Sequence, residues 1–200
     1  MSRLVLRGKR MVPDVLPCYV VCDVSFSMAD HLDEVNAGVR EFRGVVHADR
    51  RATPQIWLCV VVFAENPLVV QPLRAALDPA EAITPRQESG SDFGSAFTLL
   101  RATIEHDVRG LKARRMRVRR PMLFFISDGR ATDPAWPEAL SQLTAAAWCP
   151  EVIAFGIGAV DPPTLHRIGT SRVFLGRDGV RIGIALASSV ARAVLRPDHV

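Results

Sequence analysis

The chain has 200 residues, a length suited to one domain with a substantial core and thin for two. Hydrophobic residues make up 48% and charged residues 23%, ordinary globular usage that excludes disorder as the main state. No apolar stretch reaches the roughly 18 residues of a membrane span, and the net charge of +4 is concentrated in one stretch.

The first ten residues, MSRLVLRGKR, are broken by charges and lack the apolar centre of a secretory signal. A nearly continuous β-favouring run follows at 18–24 (CYVVCDV), as expected for a strand buried on both faces. A helix is predicted over 33–48, where Val35, Val39, Phe42 and Val46 recur at spacings of three and four. Residues 56–63 read as a second buried strand, and a turn at 64–67 leads into 68–71, an antiparallel hairpin partner. Residues 72–90 read as a long connection with one helical turn at most. Helical period resumes from Gly94 through Phe97, Leu100 and Ile104 to about Gly110.

Then comes the basic stretch, 112–120, with Lys112, Arg114, Arg115, Arg117, Arg119 and Arg120 and no acid. Such a run is usually a solvated loop or helix end, and it can also meet an acidic partner or phosphates. It has no aromatic residue to stack on bases, which argues against nucleic-acid binding. A strand over 122–127, a helix over 134–148 with proline near its start, a strand over 151–156 and a short helix over 162–168 complete the middle. A strand at 172–175 and a helix over 179–195 end the pattern. Strands alternating with helices predict an α/β fold: a mostly parallel sheet covered on both faces, with ligands at the carboxyl ends of its strands.

Cys18, Cys22 and Cys59 sit inside predicted strands and Cys149 at a predicted helix end, without the spacing of a zinc site. They read as small core residues, and a reducing cytoplasm is the expected compartment.

Past the first strand, Asp23, Ser25 and Ser27 place oxygen atoms on one side of a turn. Past the strand at 122–127 stands Asp128, followed by a glycine that permits a sharp turn. Between them the loop 89–94 (SGSDFG) opens a helix with Ser91. Singly these are weak signals, since a serine after a strand is more often a helix cap. Together, three hydroxyls and two carboxylates suit a hard cation such as Mg²⁺, with Mn²⁺ or Ca²⁺ as alternatives.

DVSFSM, SGSDFG and SDGRATD, in this order and spacing, resemble the metal-ion-dependent adhesion site (MIDAS) of von Willebrand factor type A (VWA) domains. The resemblance covers 16–195, leaving an N-terminal extension at 1–15 and a tail at 196–200. In wording it is most similar to the bacterial cytoplasmic group associated with tellurium resistance and stress responses. It implies a Rossmann-like sheet with one antiparallel edge strand. It also implies that Ser25, Ser27 and Ser91 ligate the metal while Asp23 and Asp128 act through water or orient ligands. The remaining position would take an Asp or Glu from a partner protein, with a kinase, phosphatase or ATPase of the same system as the expected partner. Three residues depart from the pattern: Ser91 replaces the usual threonine, Phe26 the usual glycine, and Asp92 adds a carboxylate that would serve as a helix cap or as negative charge near the ion.

An enzyme is not expected. There is no G-x-S-x-G and no P-loop lysine, and His31, His47, His106, His166 and His199 form no relay pattern. The competing readings are a scaffold with a structural or vestigial metal site and, behind it, a metal-dependent hydrolase.

Overall fold

The computed structural model describes residues 12–48, 55–78, 81–176, 179–196 and 199–200. Its central strand, β1 (Asp14–Asp23), is buried at every position but the first. It starts four residues before the apolar run predicts. Pro17 is tolerated because it falls between the part of β1 paired with β4 (Arg117–Val118) and the part paired with β5 (Met122–Ser127), where the ladder on that side is already interrupted. Of the extension expected at 1–15, residues 1–11 lie outside the described residues, as do 197–198 of the tail.

A short 3₁₀ turn (Phe26–His31) leads from β1 into α1 (Leu32–Ala48). Then follow β2 (Gln55–Phe63), β3 (Leu68–Ala75) and α2 (Phe93–Ala113). After β4 and β5 come α3 (Trp136–Thr144), β6 (Glu151–Gly156), α4 (Pro162–Ile168), β7 (Arg172–Leu175) and α5 (Ile182–Val194). The sheet order is β3-β2-β1-β5-β6-β7, with β4 set beside β1. Every pairing is parallel except β2 with β3 at the edge. This is the expected α/β architecture, mostly parallel with one antiparallel edge strand.

The period of two along β1 divides the core. Cys18, Val20 and Cys22 face α1 and α5, packing on Val35, Val39, Phe42, Ile182 and Leu186. Val15, Tyr19 and Val21 face the other way, onto α2, α3 and α4 through Phe97, Leu100, Leu140 and Leu165. Each large apolar side chain removed from water in these layers contributes about 1.5–3 kcal/mol. No helix among the described residues is long and apolar enough to cross a membrane.

Several elements differ from expectation. β3 runs on to Ala75, through Pro72, because an edge strand can lack an inward amide; the β2–β3 register shifts near Val60. No helical turn forms between β3 and α2 among the described residues. α3 stops at Thr144, so Cys149 lies in a following turn. All four cysteines are free, and burial pushes the thiols of Cys18, Cys22 and Cys59 far above their usual range. Cys18, Cys22 and Cys59 pack in the core as small apolar side chains.

Candidate metal centre

Asp23 is the last residue of β1. In parallel register Cys22 lies opposite Ile126, which sets Asp23 beside Ser127 at the carboxyl edge of the sheet. Both are fully buried, and Ser127 Oγ donates to Asp23 Oδ2 at 2.8 Å. The other oxygen, Oδ1, accepts from the Ser25 amide at 3.0 Å and from Ser91 Oγ at 3.3 Å. Asp23 is thus occupied on both oxygens by the groups around it, and its geometry is that of a carboxylate that orients hydroxyls.

Ser25 Oγ stands 3.3 Å from Ser27 Oγ. The first hydroxyl is buried and the second reaches the surface. The turn that carries them is tied down from outside: Val24 donates to the Phe63 carbonyl, Phe26 to the Glu88 carbonyl and Arg86 to the Val24 carbonyl. Phe26 itself points outward, 78% exposed, at the rim.

Ser91 is carried by the start of α2, which is held at three levels. Asp92 caps the helix, accepting from the Ser95 amide and from its hydroxyl, both at 2.7 Å. Beneath, Phe93 packs edge-on against Phe125 and Phe63, with centroids 5.0 and 5.5 Å apart. Alongside, the loop after β5 is laced to it. Thr132 Oγ1 accepts from the Ser91 amide and the Thr132 amide donates to the Ser91 carbonyl, each at 3.0 Å. Asp133 accepts from the Phe93 and Gly94 amides at 2.8 and 3.2 Å, satisfying first-turn N–H groups that the helix cannot pair itself. A Cβ on Gly94 would come within 2.6 Å of that carboxylate.

Asp128 follows Ser127 and is 2% exposed. Its Oδ1 accepts from the Arg130 amide at 3.0 Å, closing the turn in which Gly129 adopts a φ of 85°. The five residues singled out in the sequence, Asp23, Ser25, Ser27, Ser91 and Asp128, therefore come together at one edge. Ser127, Thr132 and Asp133 were not among them. The strand register would have pointed to Ser127, and the oxygen-rich end of SDGRATD to the other two.

Burial raises the Asp23 carboxyl above its ordinary value, hydrogen bonds from Ser25 and Ser127 oppose that, and the nearby Asp128 charge adds to it. Among the described residues neither aspartate has a Lys, Arg or His ion-pair partner. Two buried carboxylates that share a site without a cation are costly. Among the described residues no three His, Cys, Asp or Glu side chains group as a metal cluster; the donors here are chiefly hydroxyls. Oxygen–oxygen separations of 3.3 Å are close to the roughly 3 Å between neighbouring ligands of an octahedral Mg²⁺. The residues fit a small hard cation.

No protein-family model and no curated protein sequence matches the chain. Solved structures do. An aerotolerance-related membrane protein from Bacteroides fragilis NCTC 9343, with multiple mutations to serines, is 13% identical over 90% of this chain and 98% of its own, with a TM-score of 0.62. A von Willebrand factor type A structure from Catenulispora acidiphila is 16% identical over 92% of this chain and 43% of its own, with a TM-score of 0.63. Proximal thread matrix protein 1 from the mussel byssus, with a zinc-occupied MIDAS motif, is 15% identical over 90% of this chain and 46% of its own, at a TM-score of 0.59. At these identities the likeness is one of fold, and the fold of this chain is that of von Willebrand factor type A domains.

Proposed function

We propose that the chain is a metal-dependent protein-interaction module that binds Mg²⁺ through Ser25, Ser27 and Ser91 and presents it to an Asp or Glu of a partner protein. The observation that carries this is the pair of buried carboxylates, Asp23 and Asp128, which have no ion-pair partner among the described residues and stand in one group with the hydroxyls of Ser25, Ser27 and Ser91. A divalent ion held largely by neutral hydroxyls keeps enough positive charge to attract an outside carboxylate. Asp23 fixes the hydroxyls of Ser91 and Ser127, Asp128 adds negative charge, and exposed Ser27 marks the open side. Mn²⁺ and Ca²⁺ are the alternative ions.

Support for gripping over catalysis is also geometric. Among the described residues no imidazole hydrogen-bonds Ser25 or Ser27, and the ring of His31 lies over Gly158 instead. The setting we propose is a bacterial stress-response or tellurium-resistance-type system in the cytoplasm, with a kinase, phosphatase or ATPase of that system as partner. That setting rests on the sequence motifs alone.

The test is affinity capture from the native cytoplasm in Mg²⁺, set against the same capture in EDTA and with Asp128→Ala. A partner lost under both conditions supports the reading. One retained at full yield by both would sink it, and would favour a scaffold with a structural or vestigial site.

A further inference from the structure

Residues 112–120 hold six basic side chains and no acid; because the whole chain is +4, everything outside this run is −2. The fold sets the run at the amino edge of the sheet, where Arg117 and Val118 pair with Asp14 and Val15 at the start of β1. The candidate metal centre is at the other end of β1, about 25 Å away at the usual rise of a strand.

The run is not a uniform solvated loop. Arg119 turns inward, pairing with Asp14 at 3.1 Å and donating to the carbonyls of Ala193, Val194 and Arg196 at the end of α5. That leaves Lys112, Arg114, Arg115, Arg117 and Arg120 exposed, and among the described residues none of them is paired with a carboxylate. Two are steadied without being neutralised. The Arg114 guanidinium lies 5.3 Å from the centroid of the Trp57 ring, and Arg120 donates to the Cys149 carbonyl at 2.8 Å.

A separate observation concerns the backbone. Arg115 has a φ of 59°, the one positive value outside glycine among the described residues. It ends α2 in a left-handed turn, with its amide on the Lys112 carbonyl and the Met116 amide on the Leu111 carbonyl. Glycine usually fills this place, and an arginine there is strained. The side chain makes no hydrogen bond or ion pair within the described residues that would offset the strain. Strain kept without an internal gain points to a use outside the fold.

We infer that this edge is a second interaction surface, which docks an acidic segment of a partner protein independently of the metal. Four of the five exposed cations are arginines, whose planar fork matches carboxylates in pairs. A nucleic acid fits less well: the run carries no aromatic residue of its own, and Arg114 already lies over the Trp57 ring. With a metal centre at one end and this surface at the other, the domain can hold two acidic partners at once.

The test measures binding of a fluorescent deca-glutamate peptide in EDTA, so that no metal contributes, at low and at physiological salt. Wild type binds and weakens with salt. Arg114→Glu with Arg115→Glu loosens binding about tenfold or more, while Arg40→Glu with Arg101→Glu, two exposed cations elsewhere, changes it little. Arg115→Gly separates binding from folding, because it raises Tm and still weakens the peptide. The inference is overturned if the double reversal binds as wild type does, if the Arg40 and Arg101 pair matters equally, or if a duplex DNA of matched charge binds more tightly than the peptide. None of these outcomes bears on Mg²⁺ binding, which is read separately.

Discussion

Ser127 and Asp23 close the ends of two neighbouring parallel strands, the serine hydroxyl donating to the carboxylate at 2.8 Å with both side chains fully buried. The same hydroxyl accepts from the Gly129 amide at 3.0 Å, so it joins the orientation of Asp23 to the turn that carries Asp128. Ser127→Ala is therefore expected to cost about 1–3 kcal/mol by leaving buried partners unsatisfied. It should also weaken Mg²⁺ affinity, although Ser127 is not itself among the expected ligands. Urea unfolding and calorimetric titration check the two effects. Unchanged affinity would mean that Asp23 keeps its orientation without this bond.

The protonation of Asp23 makes the site pH-dependent. Its folded pKa is raised above the ordinary 3.8, chiefly by burial, so the folded chain holds a proton that the unfolded chain gives up. Without metal, the stability this group contributes is fully present below 3.8 and is lost as pH rises toward the raised value. A bound cation favours the ionised form, so the Tm increment from Mg²⁺ should be small in acid and grow with pH. Asp23→Asn should flatten the metal-free profile and remove the increment. Melts in Mg²⁺ and in EDTA, from about pH 4 to about pH 8, test this; an increment of constant size would contradict it.

Asp133 reaches across from the loop after β5 to hold the first amides of α2, and Gly94 leaves the space it needs. Asp133→Ala should cost about 1 kcal/mol, as the loss of a helix cap does. It should also loosen Ser91, and with it the metal, by freeing the helix start. Gly94→Ala pushes the same carboxylate away, so its effect should not add to that of Asp133→Ala in a double-mutant cycle. Full additivity would show that the two act separately.

Phe26 offers a cleaner division between stability and binding. It is 78% exposed beside Ser27, and only its backbone is tied down, to Glu88. Phe26→Ala should leave unfolding free energy within about 0.5 kcal/mol of wild type and leave Mg²⁺ affinity alone, yet reduce partner capture. Capture at wild-type yield would remove Phe26 from the interface.

What could be read from the sequence was what is local. The run through Cys22, the spacing of Val35, Val39 and Phe42, and the D-x-S-x-S turn at Asp23 each depend on neighbours in the chain, and each forms as its pattern predicts. The parts not foreseen depend on residues far apart. Ser127 matters because strand register sets it beside Asp23, and Thr132 and Asp133 because one loop lies along the start of α2. Arg119 sits in a run that reads as solvated, yet its carboxylate partner, Asp14, is 105 positions away. Periodicity carries no information about such pairs.

Arg115 shows the same limit in the backbone. Nothing in K-A-R-R-M-R says that its third residue beyond Lys112 will adopt a left-handed conformation, because the choice of where α2 ends is made by Met116 and Leu111 closing the turn. The cost is nevertheless measurable. Arg115→Gly should stabilise the chain by about 1 kcal/mol, the strain of a non-glycine residue in that region, less the entropy glycine adds to the unfolded state. Arg115→Ala, which keeps the strain and removes the charge, should not raise stability. Comparing the two by chemical denaturation separates backbone strain from charge repulsion within the run, since relief of repulsion would stabilise both variants alike and shrink in high salt. A gain confined to glycine and insensitive to salt is the expected outcome; equal gains in both would place the cost in the crowding of cations and leave the backbone of Arg115 without a special role.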